Sequence, residues 1–346
     1  MAGKGRPRLV DVAQRAGVSV GTASDALAGK NRIPDDTRKR VRDAAHDLGY
    51  VPNRVARALQ AGHLPLIGLV MTPLLERSRF DAYRTAWVET IGAATLAAAE
   101  RGYGLTVLPG FAATSLESLP LAGLVALDAP HDDIEVQRAA ELGIPIVSDN
   151  GDDSATVHVR TDVAATVAAV MDHFLASGAT HPGMTTTTID TTLNRGLIEA
   201  YTAWCSAHGL TPLVATIDVD EAATSTRAED SLVEAGADAL YITAPDRSSQ
   251  IGRIATRYER GLSRVLLAIL DDDADGRMAS LGITTVRLGL GDVVRRSVAA
   301  LIDAIEDEKH GARHVVGAFS LEARASSLPR QPWDGVERRR ANRDGA

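Results

Sequence analysis

Residues 9–62 read LVDVAQRAGVSVGTASDALAGKNRIPDDTRKRVRDAAHDLGYVPNRVARALQAG. Two short helix-forming runs are joined by Gly17-Val18-Ser19, a third helical run follows, and a further short helix is predicted to open at Pro52-Asn53. This is the pattern of a helix-turn-helix head with an appended hinge helix. The second helix of such a pair lies in the major groove, so the stretch predicts double-stranded DNA as the partner.

Apolar residues recur in each of the three runs at the spacing of one helix face. Gly17 tolerates the left-handed conformation that ends a helix, and Ser19 stands where an N-cap is preferred. We expect inward faces on a first helix (Val12, Ala13, Ala16), a second (Val20, Ala23, Leu27) and a third that runs from Asp35 to Leu48 (Val41, Ala44, Ala45, Leu48).

The same turn contains Gly-Val-Ser-Val-Gly at 17–21, which fits the G-x-S-x-G pattern of a hydrolase nucleophile elbow. That elbow requires a buried strand before the serine. Here the preceding residues are helical and polar, so Ser19 is interpreted as a helix cap and phosphate contact.

Charge is unevenly distributed along the chain. Residues 1–62 hold 12 Lys and Arg against 6 Asp and Glu, whereas the whole chain has 37 basic and 45 acidic residues. A basic head on an acidic body is typical of a DNA-binding module fused to a sensor. A merely solvated charge run is the alternative, but the charges coincide with the helix-turn-helix pattern.

The rest of the chain alternates apolar strand-like runs with helical stretches. Strands are expected at LIGLVMT (66–72), YGLTVLP, GLVALDA, IPIVSDN, PGMTTTT, PLVATIDV, ALYITA and VLLAILDD. Helices are expected around 83–101, 162–177, 194–208, 222–235 and 246–260. Continuous apolar strands between helices indicate parallel sheets covered on both faces.

Two such series in one chain predict two similar lobes with a cleft between them. Ligands of such folds bind outside the carboxyl ends of the strands. The fold class is therefore an all-α helix-turn-helix head and hinge helix followed by an α/β two-lobed sensor. The predicted division is a head at 1–50, a hinge at 51–63, the sensor at 64–328 and a disordered tail at 329–346.

Longer motifs resemble one known family. DVAQRAGVSVGTASDAL and TRKRVRDAAHDLGYVPNRVARAL in the head are similar to the lactose-repressor/galactose-repressor (LacI/GalR) family of bacterial transcription regulators. Weaker matches follow in the family's order: AAAERGY (97–103), AGLVAL (122–127), LGIPIV (142–147), LGITTVRL (281–288) and SLEARASS (320–327). The resemblance covers about residues 8–328. It implies a periplasmic-binding-protein-like sensor in which the chain crosses between the lobes three times.

The resemblance also implies roles for residues of the head. Base-reading positions fall on Val20, Gly21 and Asp25. At the position of Asp25, many relatives carry a basic residue. A carboxylate there could accept from the cytosine amino group, or simply pair with an arginine such as Arg32. The other implied DNA contacts are Ser19, Thr22, Ser24, Thr37, Tyr50, Asn53, Ala56 and Leu59, the last of which wedges a base step open at the operator centre.

By the same resemblance, an effector pocket is expected at Thr72, Arg195, Asp246 and Asp271. Several polar partners that sugar-binding relatives carry are replaced here, by Pro245, Leu197 and Leu288. Arg195 could stand in for the arginine expected at position 197. Two interpretations follow: a small polar effector, either an uncommon sugar or another small polar metabolite, or a pocket that has drifted and binds nothing tightly. In a third interpretation, the two aspartates only cap helices or bind loop amides.

Other site signals are weak. Cys205 is the one cysteine of the chain, which leaves neither a disulfide nor a cysteine-zinc site within a monomer. Asp271 to Gly276 matches the start of a calcium loop, but Gly282 stands where the bidentate Glu belongs. GLGD at 289–292 lacks the third glycine of a dinucleotide fingerprint. No cofactor, metal or catalytic constellation is predicted.

The chain opens directly into the head without a signal-peptide pattern, and no apolar run approaches the ~20 residues of a membrane helix. We therefore expect a cytoplasmic protein without membrane contact. A homodimer on a pseudo-palindromic operator is expected, because two heads on a two-fold axis read a palindrome. The tail lacks the leucine heptads by which some relatives form tetramers, which favours a dimer over a tetramer. A solute-binding transport component and an α/β enzyme are the alternatives, disfavoured by the DNA head and by the missing acid/base pair.

Overall fold

A computed structural model describes residues 7–27, 33–50, 64–70, 81–108, 116–130, 133–149, 155–218, 221, 224–244, 265–272, 275–306 and 313–329. The chain divides into two compact units, 1–64 and 65–346. The predicted hinge helix at 51–63, the predicted helix at 246–260 and all but the first residue of the predicted tail lie outside the described residues.

The described residues of the first unit form three helices, α1 (Leu9–Ala16), α2 (Val20–Leu27) and α3 (Asp35–Leu48). The boundaries predicted for the third helix are confirmed. Left-handed glycines with φ of 68° and 64°, Gly17 and Gly49, end α1 and α3. Small side chains fill the core, so the helices approach closely: Val12, Ala13, Ala23, Ala26, Val41, Ala44 and Ala45 are buried.

The prediction that Val20 lies on the inward face of α2 is wrong. Val20 is 45% exposed, and Ala26 is buried in its place. Among the described residues, the core of the head includes α2 only from Ala23 onward, which leaves the N-terminal turn of this short helix outside that core. Val20 therefore lies on the accessible surface of the head.

The second unit contains two six-stranded sheets, each of which forms one lobe. The first lobe has the strand order β11-β5-β4-β3-β1-β2, and all its neighbouring strands are parallel. Its strands are β1 (Leu66–Val70), β2 (Gly104–Leu108), β3 (Gly123–Ala126), β4 (Ile146–Ser148), β5 (Val157–Thr161) and β11 (Arg313–Gly317).

The second lobe has the order β12-β10-β9-β8-β6-β7, in which only the edge pair β10–β12 is antiparallel. Its strands are β6 (Pro182–Thr187), β7 (Val214–Ile217), β8 (Ala239–Ile242), β9 (Leu266–Leu270), β10 (Thr284–Arg287) and β12 (Ser320–Glu322).

Helices cover both faces of each sheet, as parallel strands require. The first lobe has α4 (Asp81–Glu100), α5 (Ile134–Glu141) and α10 (Leu290–Glu306), with a 3-10 turn at Leu116–Ser118. The second has α6 (Val163–Ala176), α7 (Thr192–Ala207), α8 (Thr224–Glu234) and the short α9 (Arg277–Ser280).

The chain crosses between the lobes three times. The first crossing follows β5, the second leads from β10 into α10, and the third joins β11 to β12. The three crossings expected from the family resemblance are therefore present.

The apolar runs predicted as strands are strands where they are described, with ends trimmed by one to three residues. The prediction missed α5, the short α9 and four strands, β5, β10, β11 and β12, whereas the helical stretch expected after GLGD at 289–292 is α10. These strands are short, and all four carry charged or histidine side chains, as in VHVRT and RHVVG. Such a composition gives no continuous apolar signal.

Gly68 on β1 offers a test of this packing. A Cβ built there would lie 2.8 Å from Leu124 Cδ1 and 3.1 Å from Leu121 Cδ1, both in the buried core. We expect Gly68→Ala to lower the free energy of unfolding by ~1–3 kcal/mol in urea denaturation. Gly196→Ala is the control: its Cβ would make only ordinary contact with Val163, at 3.6 Å, inside α7, so this change should raise the free energy of unfolding by ~0.5–1 kcal/mol. Equal effects of the two changes would contradict this packing.

Candidate functional site

The turn between α1 and α2 is built around Ser19. The Val18 amide donates to the Ala13 carbonyl at 3.0 Å, which closes the end of α1. Ser19 Oγ then accepts from the Thr22 amide at 3.0 Å, so the predicted N-cap is confirmed. Ser19 lies between two helices and follows no strand, so the nucleophile-elbow geometry is not formed.

The first turn of α2 is the accessible part of that helix. Ser19, Val20 and Gly21 are exposed, and Thr22, Ser24 and Asp25 are half-buried. Gly21 and Asp25 are four residues apart and therefore share one face. Ser19 Oγ also lies 2.8 Å from Thr22 Oγ1, so these two hydroxyls share one hydrogen bond and retain one hydrogen to donate elsewhere.

The other predicted DNA contacts of the head are only partly described. Thr37 is half-buried on the first turn of α3, 3.5 Å from Arg40 Nη2. Tyr50 packs against the head core, and its amide donates to the Ala45 carbonyl at 2.8 Å. Asn53, Ala56 and Leu59 lie outside the described residues.

The predicted effector residues do not assemble into one described cluster. Thr72 and Asp246 lie outside the described residues. Asp271 is buried at the end of β9, and its amide donates to the Val286 carbonyl at 2.9 Å. Arg195 Nε pairs with Asp190 Oδ1 at 3.0 Å, while Arg195 Nη2 is buried without a partner among the described residues.

Arg195 also lies on a different face of α7 from the position it was expected to replace. Leu193 and Leu197 line a hollow with Tyr241 and Leu288. Residues two apart on a helix point in nearly opposite directions, so Arg195 faces away from that hollow. The structure thus places leucines, not Arg195, at the positions where a polar lining was expected.

Asp272, which the sequence did not single out, holds the second crossing between the lobes. Its carboxylate accepts from the amides of Leu288 at 2.6 Å, Gly289 at 3.2 Å and Leu290 at 2.6 Å, where α10 begins. Asp272 thus has the loop-amide role that was considered for Asp246 and Asp271. Among the described residues, no group of three or more metal-binding side chains is found, and 273–274 of the calcium-like run are not described.

Two further carboxylates lie together at the carboxyl ends of β3 and β4. Asp149 accepts from the Asp128 amide at 2.8 Å and from the Ala129 amide at 3.4 Å. Asp128 has φ of 54°, which is uncommon for a residue other than glycine. Its Oδ1 is buried without a hydrogen-bond partner in the described part of the chain.

This pair is electrostatically strained. Burial and the neighbouring Asp149 carboxylate raise the pKa of Asp128 to about 7, and a hydrogen bond with Thr191 opposes part of that rise. Burial also raises the pKa of Asp149 to about 6, against the lowering effect of the amides that it binds. Near neutral pH, Asp128 is therefore partly protonated.

The same carboxylates join the lobes. Thr191 belongs to the second lobe and caps α7 by accepting from the Asn194 amide at 3.2 Å. Asp128 of the first lobe bonds to the Thr191 hydroxyl, and Pro130 forms an isolated antiparallel bridge with Thr191. We call Asp128, Asp149 and Thr191 the inter-lobe clasp. A sequence gives no signal for it, since nothing distinguishes these aspartates from exposed ones.

The body contains the one cysteine of the chain. Cys205 is buried on α7, where burial raises the pKa of its thiol, and this disfavours a reactive thiolate. Within the described ranges, no helix has both the length and the apolar character needed to cross a membrane.

Comparison with known families gives two matches in one chain. The head, residues 8–53, matches "Bacterial regulatory proteins, lacI family". Residues 171–327 match "Periplasmic binding protein-like domain". The chain belongs to the LacI family of bacterial regulatory proteins.

Individual LacI-family relatives agree with this assignment. The transcriptional regulator CelR of Thermobifida fusca is 31% identical over 41% of this chain, a match that spans 43% of CelR. The transcriptional regulator PtxS of Pseudomonas aeruginosa is 26% identical over 94% of this chain and 97% of PtxS. Among solved structures, the lac repressor dimer bound to operator and the anti-inducer ONPF matches the fold with a TM-score of 0.64, at 19% identity over 93% of this chain and 99% of that one.

The inter-lobe clasp makes the stability of this LacI-family chain depend on pH. Between about pH 4 and 7, folded Asp128 retains a proton that an unfolded aspartate releases, so its contribution to stability is lost as pH rises through this window. We expect Asp128→Asn to flatten the decline in melting temperature between pH 5 and pH 8, measured by calorimetry.

Thr191→Val should have the opposite effect on the slope, because it removes the hydrogen bond that lowers the pKa of Asp128. It should also lower the melting temperature at every pH, since the α7 cap is lost. Parallel pH profiles for the wild type and both variants would show that the clasp does not titrate as described.

Proposed function

We propose that this protein is a ligand-responsive transcription repressor that binds a pseudo-palindromic operator as a homodimer. The observation that carries the proposal is the first turn of α2. Ser19 caps it from within the turn, and Val20 and Gly21 are exposed beside it. A recognition helix presents this end to base edges, and the lacI-family match of the head supports the same role.

Two-fold symmetry follows from the size of the head. One small head reads only a few base pairs, whereas two heads on a two-fold axis read a palindrome. An apolar face of α4 supports a dimer of the body: Val88 is 71% and Leu96 is 65% exposed. They are eight residues apart on one helix and share that face with Gly92.

The proposed effector site lies between the lobes, near the carboxyl ends of the strands. Ligands of open parallel sheets bind at this edge. The inter-lobe clasp and the amides held by Asp272 connect the two lobes there. A ligand that binds one arrangement of the lobes more tightly would shift the population toward it and so change operator affinity.

The decisive experiment is selection of binding sites by the full chain from a random DNA pool. The expected result is one preferred sequence with two half-sites related by two-fold symmetry. Failure to enrich any sequence would refute the proposal. A chain that enriched no DNA but bound a small molecule would instead behave as a solute-binding component.

Asp25 tests whether the exposed face of α2 reads bases. We expect Asp25→Ala to relax the preference at one position in each half-site, by ~1–3 kcal/mol, because a carboxylate can accept from the cytosine amino group. Asp36→Ala on α3 is matched in charge and should leave the selected sequence unchanged. If both variants select the wild-type sequence, Asp25 does not read a base.

Leu96 tests the dimer. Leu96→Glu places a charge on the apolar face of α4, and sedimentation should then show a larger monomer fraction than in the wild type. Ile134→Glu is the control, since Ile134 is 57% exposed on α5, a different helix. Equal dissociation of both variants, or a wild type that is already monomeric on its operator, would contradict this interface.

A further inference from the structure

Two histidines lie side by side at one edge of the first lobe. His158 on β5 and His314 on the edge strand β11 are directly opposite each other in the parallel register of these strands. Their rings stack, with 5.3 Å between the ring centres and 27° between the ring planes. Opposite residues of neighbouring strands point to the same face of a sheet, so both imidazoles lie on one surface of the lobe.

These two imidazoles differ from the other histidines of the body in their hydrogen bonding. His173, His181 and His208 each have a ring nitrogen close to a protein oxygen, at distances of 2.7, 2.9 and 2.8 Å. In the described part of the chain, neither His158 nor His314 has a hydrogen-bond partner. Within that part of the chain, their ring nitrogens are left for solvent or for a ligand.

The row of side chains that contains the pair runs from the interior of the lobe to its surface. Ser148 on β4 lies opposite His158 and is 2% exposed, His158 is half-buried, and His314 is exposed. An ion from solvent can therefore reach the pair from the side of β11. The next side chain of β5 on this face, Arg160, is exposed, so water and salt screen its charge.

The separation of the rings suits coordination of one ion by both. The neutral imidazole is the commonest protein ligand for transition metals. Two bonds of about 2.0–2.1 Å at a tetrahedral angle place their nitrogens about 3.3 Å apart. The 5.3 Å between the ring centres exceeds this by less than the width of one imidazole ring. Rotation of the two side chains can therefore bring a nitrogen of each to bonding distance, while the paired strands stay in place.

We propose that His158 and His314 bind one divalent transition-metal ion, with water completing its coordination. The ligand class is Zn²⁺, Cu²⁺ or Ni²⁺, for which imidazole is a suitable ligand. Mg²⁺ and Ca²⁺ do not fit, because they prefer oxygen ligands. A structural zinc site has four protein ligands, whereas this site has two. The ion is therefore held less tightly than structural zinc and exchanges with solution.

The ion joins two segments that are distant in the sequence. β5 is the last strand before the first crossing between the lobes, and β11 is the last strand before the third. Among the described strands, β11 has β5 as its only neighbour. The two histidines meet only in the folded chain, so an ion that binds both adds a link that the unfolded chain lacks. Metal binding therefore stabilises the edge strand of the first lobe.

Calorimetric titration of the untagged full chain with Zn²⁺, and EPR spectroscopy with Cu²⁺ as the probe, test the site. The wild type should bind Zn²⁺, and its Cu²⁺ spectrum should show coupling to the nitrogens of two imidazoles. His158→Phe and His314→Phe each keep a ring that can stack but remove one ligand. Each change should weaken binding by about tenfold or more, since loss of a residue that merely orients a metal ligand already costs about 10–100-fold.

His46→Phe is the matched control, since His46 is exposed on α3 in the other compact unit. It should leave the Zn²⁺ affinity and the Cu²⁺ spectrum unchanged. Zn²⁺ should also raise the melting temperature of the wild type and of His46→Phe, but not that of His158→Phe or His314→Phe. Unchanged affinity in either variant of the pair, an equal loss in His46→Phe, or no binding of Zn²⁺ and Cu²⁺ by the wild type would each overturn the proposal. The last result would leave the pair as a packing contact between strands.

Discussion

Parallel strands cannot be joined by short hairpins, so the chain must leave each sheet and return through a helix that covers one of its faces. This constraint brings the carboxyl ends of the parallel strands in a lobe to one edge of the sheet. It explains why Asp128, Asp149 and Asp271, which are distant in sequence, all lie at strand ends. The same constraint leaves the helix N-termini and loop amides of that edge to be satisfied, and several aspartates serve this need.

Carboxylates in the body therefore have two kinds of role. Asp272 binds three amides at the start of α10 and fixes a crossing between the lobes. Asp149 binds two amides and in doing so places its charge beside Asp128, one oxygen of which has no hydrogen-bond partner in the described part of the chain. The first arrangement is satisfied, whereas the second depends on pH and on contact with Thr191. Because Thr191 belongs to the other lobe, the second arrangement also depends on how the two lobes meet.

The sequence predicted the elements whose pattern is strong and local. The span of α3, the cap at Ser19 and the apolar strands of both lobes follow from periodicity and turn residues. Val20 is exposed although the sequence predicted it on the inward face of α2. Periodicity extends an apolar face to the end of a helix, whether or not another element packs against that end. The inter-lobe clasp could not be predicted, since the burial of its carboxylates arises only when distant segments meet.

The last strands of the body set the order in which the protein can be completed. β11 is an edge strand of one lobe and β12 an edge strand of the other, and both come from residues 313–322. During vectorial synthesis the three-helix head, with a core of its own, leaves the ribosome first and can fold as a unit. Neither lobe can complete its sheet until residues 313–322 have emerged. A chain released early would carry a complete head on an unfinished sensor.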